Sequence, residues 1–205
     1  MRVFSNTAVA LDGRIGVARG IHAAIGSNED RRRMDILRAQ ADAVLVGGAT
    51  FRSWPMPMVD PGRNRPMVNA ILSRGAIVHA EVPEGTWPAQ GVDLHIFGGK
   101  ELHASACQRR FGASVHQCAD PDVGWVLDEL RSLGCSSVLV EGGGRLLHAL
   151  LTAGRLDELY TTLCPRIMGG EDAPCLVNGL ALDRGLSLLD MDRVGDEIFL
   201  HYKLI

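Results

Sequence analysis

The sequence predicts an α/β protein with a mostly parallel central sheet and an antiparallel strand added at its carboxyl end. Three observations carry that prediction. Short, β-branched apolar runs alternate with segments whose apolar residues recur at helical spacing. Two of the runs, ADAVLVGGAT at 41–50 and VLVEGGGRLLHALL at 138–151, pass through glycines directly into a helix start. The last segment, GDEIFLHYKLI, reads as a further, antiparallel strand.

The first segment, RVFSNTAVALDGRIG, alternates as an apolar strand and breaks at Leu11-Asp12-Gly13, a turn signal. A loop is expected through Gly20 to Gly26. Ser27 then stands as a helix N-cap, with Glu29 and Asp30 in the first turn, where carboxylates complement the helix dipole. That helix is expected over 28 to about 40 and is followed by a buried strand over 43–46. The Pro- and Met-rich stretch 54–66 reads as an irregular loop, and MVNAILSR as a strand ending at Ser73-Arg74. Further strands are expected at 93–97, 114–117, 137–140, 158–164 and 197–203, and helices at 100–110, 123–133 and 144–153. The stretch 75–91 has the weakest pattern and is expected to be a surface excursion.

Composition bounds the function. A chain of 205 residues with 46% hydrophobic content fits one domain, 1–205, with a sizeable core. The net charge of −3, with lysine only at 100 and 203, points away from nucleic acid. There is no signal-peptide pattern and no apolar run of about 18 residues, so a cytoplasmic protein without a membrane span is expected. Five cysteines without a C-x-x-C pair argue against a disulfide framework or zinc site and are expected to be small buried hydrophobes. The seven histidines show no metal-ligand spacing, and no metal is expected.

The glycines carry the chemistry. A helix N-terminus presents unpaired N–H groups and a partial positive charge, and glycine lets an anion approach that backbone. A phosphate is therefore the natural guest of the turn at Gly142, Gly143 and Gly144, the bland alternative being a tight turn alone. No Walker A lysine follows, the spacing does not fit G-x-G-x-x-G, and FGGKE at 97–101 fails the same tests. In open α/β sheets ligands bind at the carboxyl ends of strands. Gly47-Gly48, Ser73 and Gly142–Gly144 all lie at such ends, which suits an extended ligand with more than one phosphate, such as a dinucleotide.

In order and spacing, SNTAVALDGRIG, IGSNEDRRRMDILRAQADAVLVGGAT, ILSR, VLVEGGGRLLHALL, LDELY and CPRIMGG resemble the reductase domain of bacterial riboflavin biosynthesis, a member of the dihydrofolate-reductase-like superfamily. The resemblance covers nearly the whole chain and implies a dihydrofolate-reductase-like three-layer sandwich. It implies a reductase that moves hydride from NADPH to the ribose carbon of a phosphoribosylamino-pyrimidine. The deaminase domain that often precedes this reductase has no counterpart here, so a stand-alone reductase, commonly a homodimer, is expected. Leu156 and the segment 160–163 could serve a dimer interface or simply form a core strand.

Carried over residue by residue, the resemblance places Ala8 and Ile15 beside the nicotinamide and Thr50 and Ser73 on the cofactor. Gly142, Gly143, Gly144, Arg145, Leu146 and Leu147 would cradle the pyrophosphate, and Ala24 would lie near the cofactor through its backbone. Arg74 matches the adenosine 2′-phosphate, because guanidinium offers phosphate a fork of donors; the alternative is a solvated loop arginine. On the substrate side stand Asn6, His22, Arg38, Met58 and Glu141. Arg38 would reach the sugar phosphate or else complement the helix C-terminus, and Glu141 is a carboxylate whose place at the end of a buried strand demands a partner. Either Glu141 in its protonated form or an ordered water would supply the proton.

The chain also departs from the family. Where the family usually carries Ala-Asp-Asp-Pro after its glycine-threonine turn, this sequence has Ser53-Trp54-Pro55-Met56-Pro57-Met58. His22 stands in place of a family serine, with Arg63 or Arg65 as possible replacements for a phosphate contact. A dihydrofolate-like or other heterocycle reductase, or an NADPH-binding paralogue without turnover, are the alternatives.

Overall fold

In the computed structural model, residues 1–18, 21, 24–60, 62–63, 65–75, 77 and 92–205 are described. In chain order they form β1 (Arg2–Ala10), α1 (Asn28–Ala39), β2 (Ala43–Gly47), α2 (Gly48–Ser53), β3 (Met67–Ser73), β4 (Val92–Gly98), α3 (Ala104–Phe111) and β5 (Ser114–Gln117). Then follow α4 (Val123–Ser132), β6 (Ser137–Glu141), α5 (Gly144–Thr152), β7 (Glu158–Cys164), β8 (Leu186–Val194) and β9 (Glu197–Leu204). The strands make one sheet of order β5-β4-β3-β2-β6-β1-β7-β9-β8, parallel from β5 to β7, with β9 and β8 antiparallel.

Helices cover both faces. On one, α1, α2 and α3 bury Leu37, Phe51, Cys107 and Phe111 against Phe4, Val44 and Leu139. On the other, α4 and α5 bury Val126, Leu130, Leu147 and Leu150 against Val3, Leu45, Val138 and Val140. The two-sided burial explains why β2 and β6 read as unbroken apolar runs: successive side chains enter opposite cores, so neither face is polar. Ser27 caps α1 as expected, accepting from the N–H groups of Glu29 and Asp30. Its own N–H and hydroxyl donate to buried Glu197 at 2.8 and 2.5 Å, tying the helix start to β9.

Three local expectations change. The helix expected over 100–110 is broken: Lys100–Leu102 is a 3-10 turn and His103 takes a left-handed φ of 53° before α3 begins. The break lets Leu102 bury fully, and its side chain fills the space in which a Cβ on Gly98 would collide. Outside the expected C-terminal strand lies a second antiparallel strand, β8, which the pattern of the sequence does not announce. Every residue of β8 is exposed, so burial imposes no period of two on its side chains. Leu156 and the segment 160–163 belong to the core and to β7, not to an open surface. Of the excursion expected over 75–91, all but Gly75 and Ile77 lies outside the described residues.

The amino-terminal ends of β1 and β7 are joined by an ion pair. Arg2 donates from Nε and Nη2 to the two oxygens of Glu158, at 2.7 and 2.9 Å. Tyr160 donates to the same carboxylate at 3.0 Å, and His201 Nε2 lies 2.7 Å from it while stacking on the Tyr160 ring. The Arg2 hydrogen bonds, opposed by burial, hold the Glu158 carboxyl down at about 2.

A carboxyl held below its unfolded value of about 4.3 stabilises the fold fully above that value and loses the contribution as pH falls toward the folded one. Urea unfolding followed from pH 6 to pH 2.5 is therefore expected to show wild-type stability falling, by about 2 kcal/mol more than in Glu158→Gln, with the two curves converging in acid.

Candidate active site

Strand β6 runs apolar to Val140, and Glu141 ends it. Gly142 and Gly143 follow with φ of +76° and +91°, a region that side chains other than glycine rarely enter. A Cβ on Gly144 would collide with the Cys175 carbonyl. Conformation thus requires glycine at 142 and 143, and space requires it at 144. The start of α5 that they deliver carries no side-chain cap and no acidic residue in its first turn, which leaves its N–H groups and positive dipole end for an anion.

The neighbouring strand ends converge on the same place. The Thr50 hydroxyl lies 3.4 Å from where a Cβ of Gly143 would stand, and Leu146 lies beside Gly47. Ser73 packs against Gly48 so closely that a side chain there would clash with its hydroxyl. Below the turn a narrow cleft on the α5 face is lined by Ser5, Thr7, Ile15, Val140, Gly142, Gly143, Gly144, Leu147 and Leu176. Its outer wall is a zipper between two loops. Ile15 N–H donates to Pro174 and Leu176 N–H to Gly13, while the Asp12 carboxylate accepts from the N–H groups of Met168 and Gly169. The motifs LDGRIG and CPRIMGG are therefore two sides of one wall.

On the opposite face, Asn6 and Glu141 stand side by side in register on β1 and β6. Arg38 of α1 forks onto Glu141, Nε to Oε1 at 2.6 Å and Nη2 to Oε2 at 2.7 Å, with Asp35 at 3.7 Å. Their side chains are 14% and 13% exposed, so this is the partner that a carboxylate in that position demands. On the same face, the first turn of α1 holds Asp30, whose Oδ1 is buried without a hydrogen-bond partner and whose carboxyl is pushed up mainly by burial.

The chain matches the RibD C-terminal domain over residues 1–200. It belongs to that family. The RibD C-terminal domain is the reductase domain of the riboflavin pathway. One relative, the 2,5-diamino-6-ribosylamino-4(3H)-pyrimidinone 5′-phosphate reductase of Methanothermobacter thermautotrophicus, is 27% identical, covering 98% of this chain and 96% of that protein. A pyrimidine reductase-like protein from Corynebacterium diphtheriae shares the fold at a TM-score of 0.83 and 20% identity, over 100% of this chain and 92% of that one. Dihydrofolate reductase from Enterococcus faecalis aligns at 0.51 with 14% identity, over 99% and 96%. The dihydrofolate-reductase-like fold expected from the sequence is borne out.

Within this RibD C-terminal domain, Ile15, Gly142, Gly143, Gly144 and Leu147 meet in one cleft, and Thr50 and Leu146 adjoin its glycine turn. Ala8 is one residue beyond cleft-lining Thr7 on β1; Arg74 and Arg145 are exposed beside their strand end and helix start. Ala24 is exposed, its carbonyl accepting from Arg166 at 3.4 Å. Met58 lies elsewhere: it is buried in the α1-side core, its backbone clamped by the Asn69 amide at 2.8 and 2.9 Å. His22 lies outside the described residues. Arg63 and Arg65 do not replace a phosphate contact at this edge. Both pair with Asp42 just before β2, at the other end of the sheet, where burial is outweighed by Ser136 and Ser137 hydrogen bonds and the carboxyl sits at about 2. Sequence reasoning missed Ser5, Thr7 and Leu176, because only the strand register and the loop zipper bring them to the glycines.

Removing one partner of a buried ion pair leaves the other charge unpaired. Arg38→Ala is expected to cost about 3 kcal/mol in urea unfolding, and adding Glu141→Ala to recover part of that loss, giving a coupling of at least about 1 kcal/mol in the double-mutant cycle.

Proposed function

We propose that this chain is an NADPH-dependent reductase of a phosphoribosylamino-pyrimidine, the 5-amino-6-(5-phosphoribosylamino)uracil type or its 2,5-diamino-pyrimidinone counterpart. One observation carries the reading: the uncapped glycine turn that starts α5 directly follows Glu141, the residue that Arg38 holds, so both lie together at the carboxyl end of β6. A hydride donor and its acceptor must meet within about 3.5 Å, so two neighbouring binding features at one end of the sheet are what the reaction needs.

The residues fit the cofactor. Gly142 and Gly143 leave open space beside Thr50, the uncapped start of α5 offers N–H groups for a pyrophosphate, and Arg145 or Arg74 supplies positive charge at the rim. NADPH would supply the hydride; the chain supplies position. Ile15, Val140, Leu147 and Leu176 exclude water from the cleft. On the other face Arg38 is a guanidinium ready for the sugar phosphate, and Glu141 holds it in place until substrate arrives. Asn6, in register beside Glu141, offers an amide to the heterocycle. Both oxygens of Glu141 accept from Arg38, which favours a proton source other than Glu141, either an ordered water or the buried carboxyl of Asp30.

The proposal extends to a cytoplasmic homodimer. Its support is β8, an edge strand that leaves Leu186, Leu188, Leu189, Met191 and Val194 exposed, an apolar surface that a second copy would cover. No helix among the described residues is long and apolar enough to cross a membrane.

Calorimetric titration should show NADPH binding more tightly than NADH, and the reduced-nicotinamide absorbance should fall with a phosphoribosylamino-pyrimidine but not with dihydrofolate. Gly143→Asp is a poor probe of the turn, since φ there strains any side chain. Arg145→Glu places a carboxylate at the exposed start of α5 and should weaken NADPH at least tenfold with unchanged melting. Equal binding would remove the anion from this helix. Light scattering should give twice the chain mass for wild type and the monomer for Leu188→Glu with Met191→Glu.

A further inference from the structure

Strand β8 is exposed along its whole length, yet its two faces differ in chemistry. Residues directly opposite each other on paired strands share a face. Leu186, level with Leu204, and Leu188, level with Tyr202, therefore look to the side on which those two residues join the α4–α5 core. Unbroken alternation would put Asp190 next on that side. A bulge between Leu188 and Asp190 prevents it: Asp190 falls level with His201, and Met191, level with Leu200, takes the place. Asp192 goes with Asp190 to the α1 side, where Arg33 pairs with it. The bulge thus clears carboxylates from one face of the strand and leaves that face aliphatic.

That face is a layer without a cover. Leu186, Leu188 and Met191 are 42%, 50% and 62% exposed, and no helix among the described residues lies over β8. Arg193 follows on the same side, but it bonds back to the Gly195 carbonyl and to Asp196 in the turn to β9, at the rim.

The same surface runs into the segment that walls the cofactor cleft. Leu176 lines the cleft, and the Asn178 N–H donates to the Gly144 carbonyl at 3.0 Å while its Oδ1 accepts from the Cys175 N–H at 2.8 Å. Two residues on, the Leu180 carbonyl lies 3.0 Å from His148 Nε2 of α5, and Leu180 is 86% exposed. This strap, 173–180, therefore holds the helix start from its inner side and presents a bare leucine outward. With Leu180 and the partly buried residues of β9, the face of β8 offers on the order of 700 Å² of apolar surface, close to one partner's share of a standard interface. A chain alone in water rarely keeps so large a patch. A flat aliphatic sheet face is complementary to itself, so a two-fold axis can lay it on the same face of another copy, as two sheets pack in a sandwich.

We propose that a second copy of the chain seats on this face and on Leu180, and that the contact holds the strap against the start of α5, so that the glycine turn reaches its full anion affinity only in the dimer. The inference rests on the NADPH and homodimer readings above and adds a coupling between them. A strap held by a few hydrogen bonds opens at small cost, and a partner that covers its outer side removes the open state. The coupling is reciprocal: NADPH tightens the dimer by the factor by which the dimer tightens NADPH.

Sedimentation and fluorescence titration of the full chain test both halves. Leu188→Glu with Met191→Glu should sediment as a monomer, melt cooperatively and bind NADPH at least about fivefold more weakly than wild type. Its Asn178 amide should exchange hydrogen faster than in the wild-type dimer, because the strap has lost its cover. If that variant folds poorly, dilution of wild type through its dimer dissociation range should weaken NADPH binding in step. A folded monomer that binds NADPH as tightly as the wild-type dimer overturns the coupling and leaves the cofactor and dimer readings standing. A wild type that stays monomeric at all concentrations overturns the docking surface, and a dimer that binds no NADPH overturns the cofactor reading and the coupling with it.

Discussion

The register of β1 against β6 is the constraint on which the rest of this structure depends. Ser5 and Thr7 go to the α5 face with Val140, and Asn6 goes to the α1 face with Glu141. A strand alternates its side chains with a period of two, so a slip of one residue would exchange these sets, taking Ser5 and Thr7 out of the cleft and Asn6 away from Glu141. Both cores hold the register in place, because Val3 and Val138 fill one while Phe4 and Leu139 fill the other. The same alternation that packs the centre of the protein therefore sets the Ser5–Thr7 side of β1 and an arginine–carboxylate pair back to back across two strands.

The charged groups divide between the two ends of the sheet according to their use. At the amino-terminal end, Asp42 and Glu158 are saturated by hydrogen bonds from serines, arginines and a tyrosine, and both carboxyls sit far below their ordinary range. These groups join strands and leave no valence for a ligand. At the carboxyl end the hydrogen-bonding capacity is less complete: α5 starts without a cap, Ser5 Oγ has no partner, and Arg38 is held by a carboxylate that a phosphate could displace. The uncapped helix start and the unpartnered hydroxyl thus stand at one end of the sheet and the saturated carboxylates at the other.

Much of this was legible in the order of residues. The strands β2, β3, β5, β6 and β7, the cap at Ser27 and the glycine turn follow from local rules: apolar runs of limited length, a hydroxyl before acidic residues, and glycines between strand and helix. What escaped lacks a local signature. Strand β8 gains only its ladder to β9 within the chain, so no burial pattern exposes it in the sequence. The helix expected at 100 breaks because Leu102 drops onto Gly98, a contact between a turn and the strand before it. Arg63 and Arg65 looked available for a ligand phosphate, yet the loop carries them to Asp42 at the far edge of the sheet.

By itself, the sequence determined an α/β sheet with glycine turns at its carboxyl edge, because periodicity, capping and the conformational freedom of glycine act over a few residues. Only the tertiary structure decided that Arg38 would fork onto Glu141 across 103 residues of sequence, that Asp12 would tie the LDG turn to Met168 and Gly169, and that Ser5 would lie unpartnered beside the glycine turn. Those outcomes depend on strand register and on which helix covers which face, and long-range packing alone sets both.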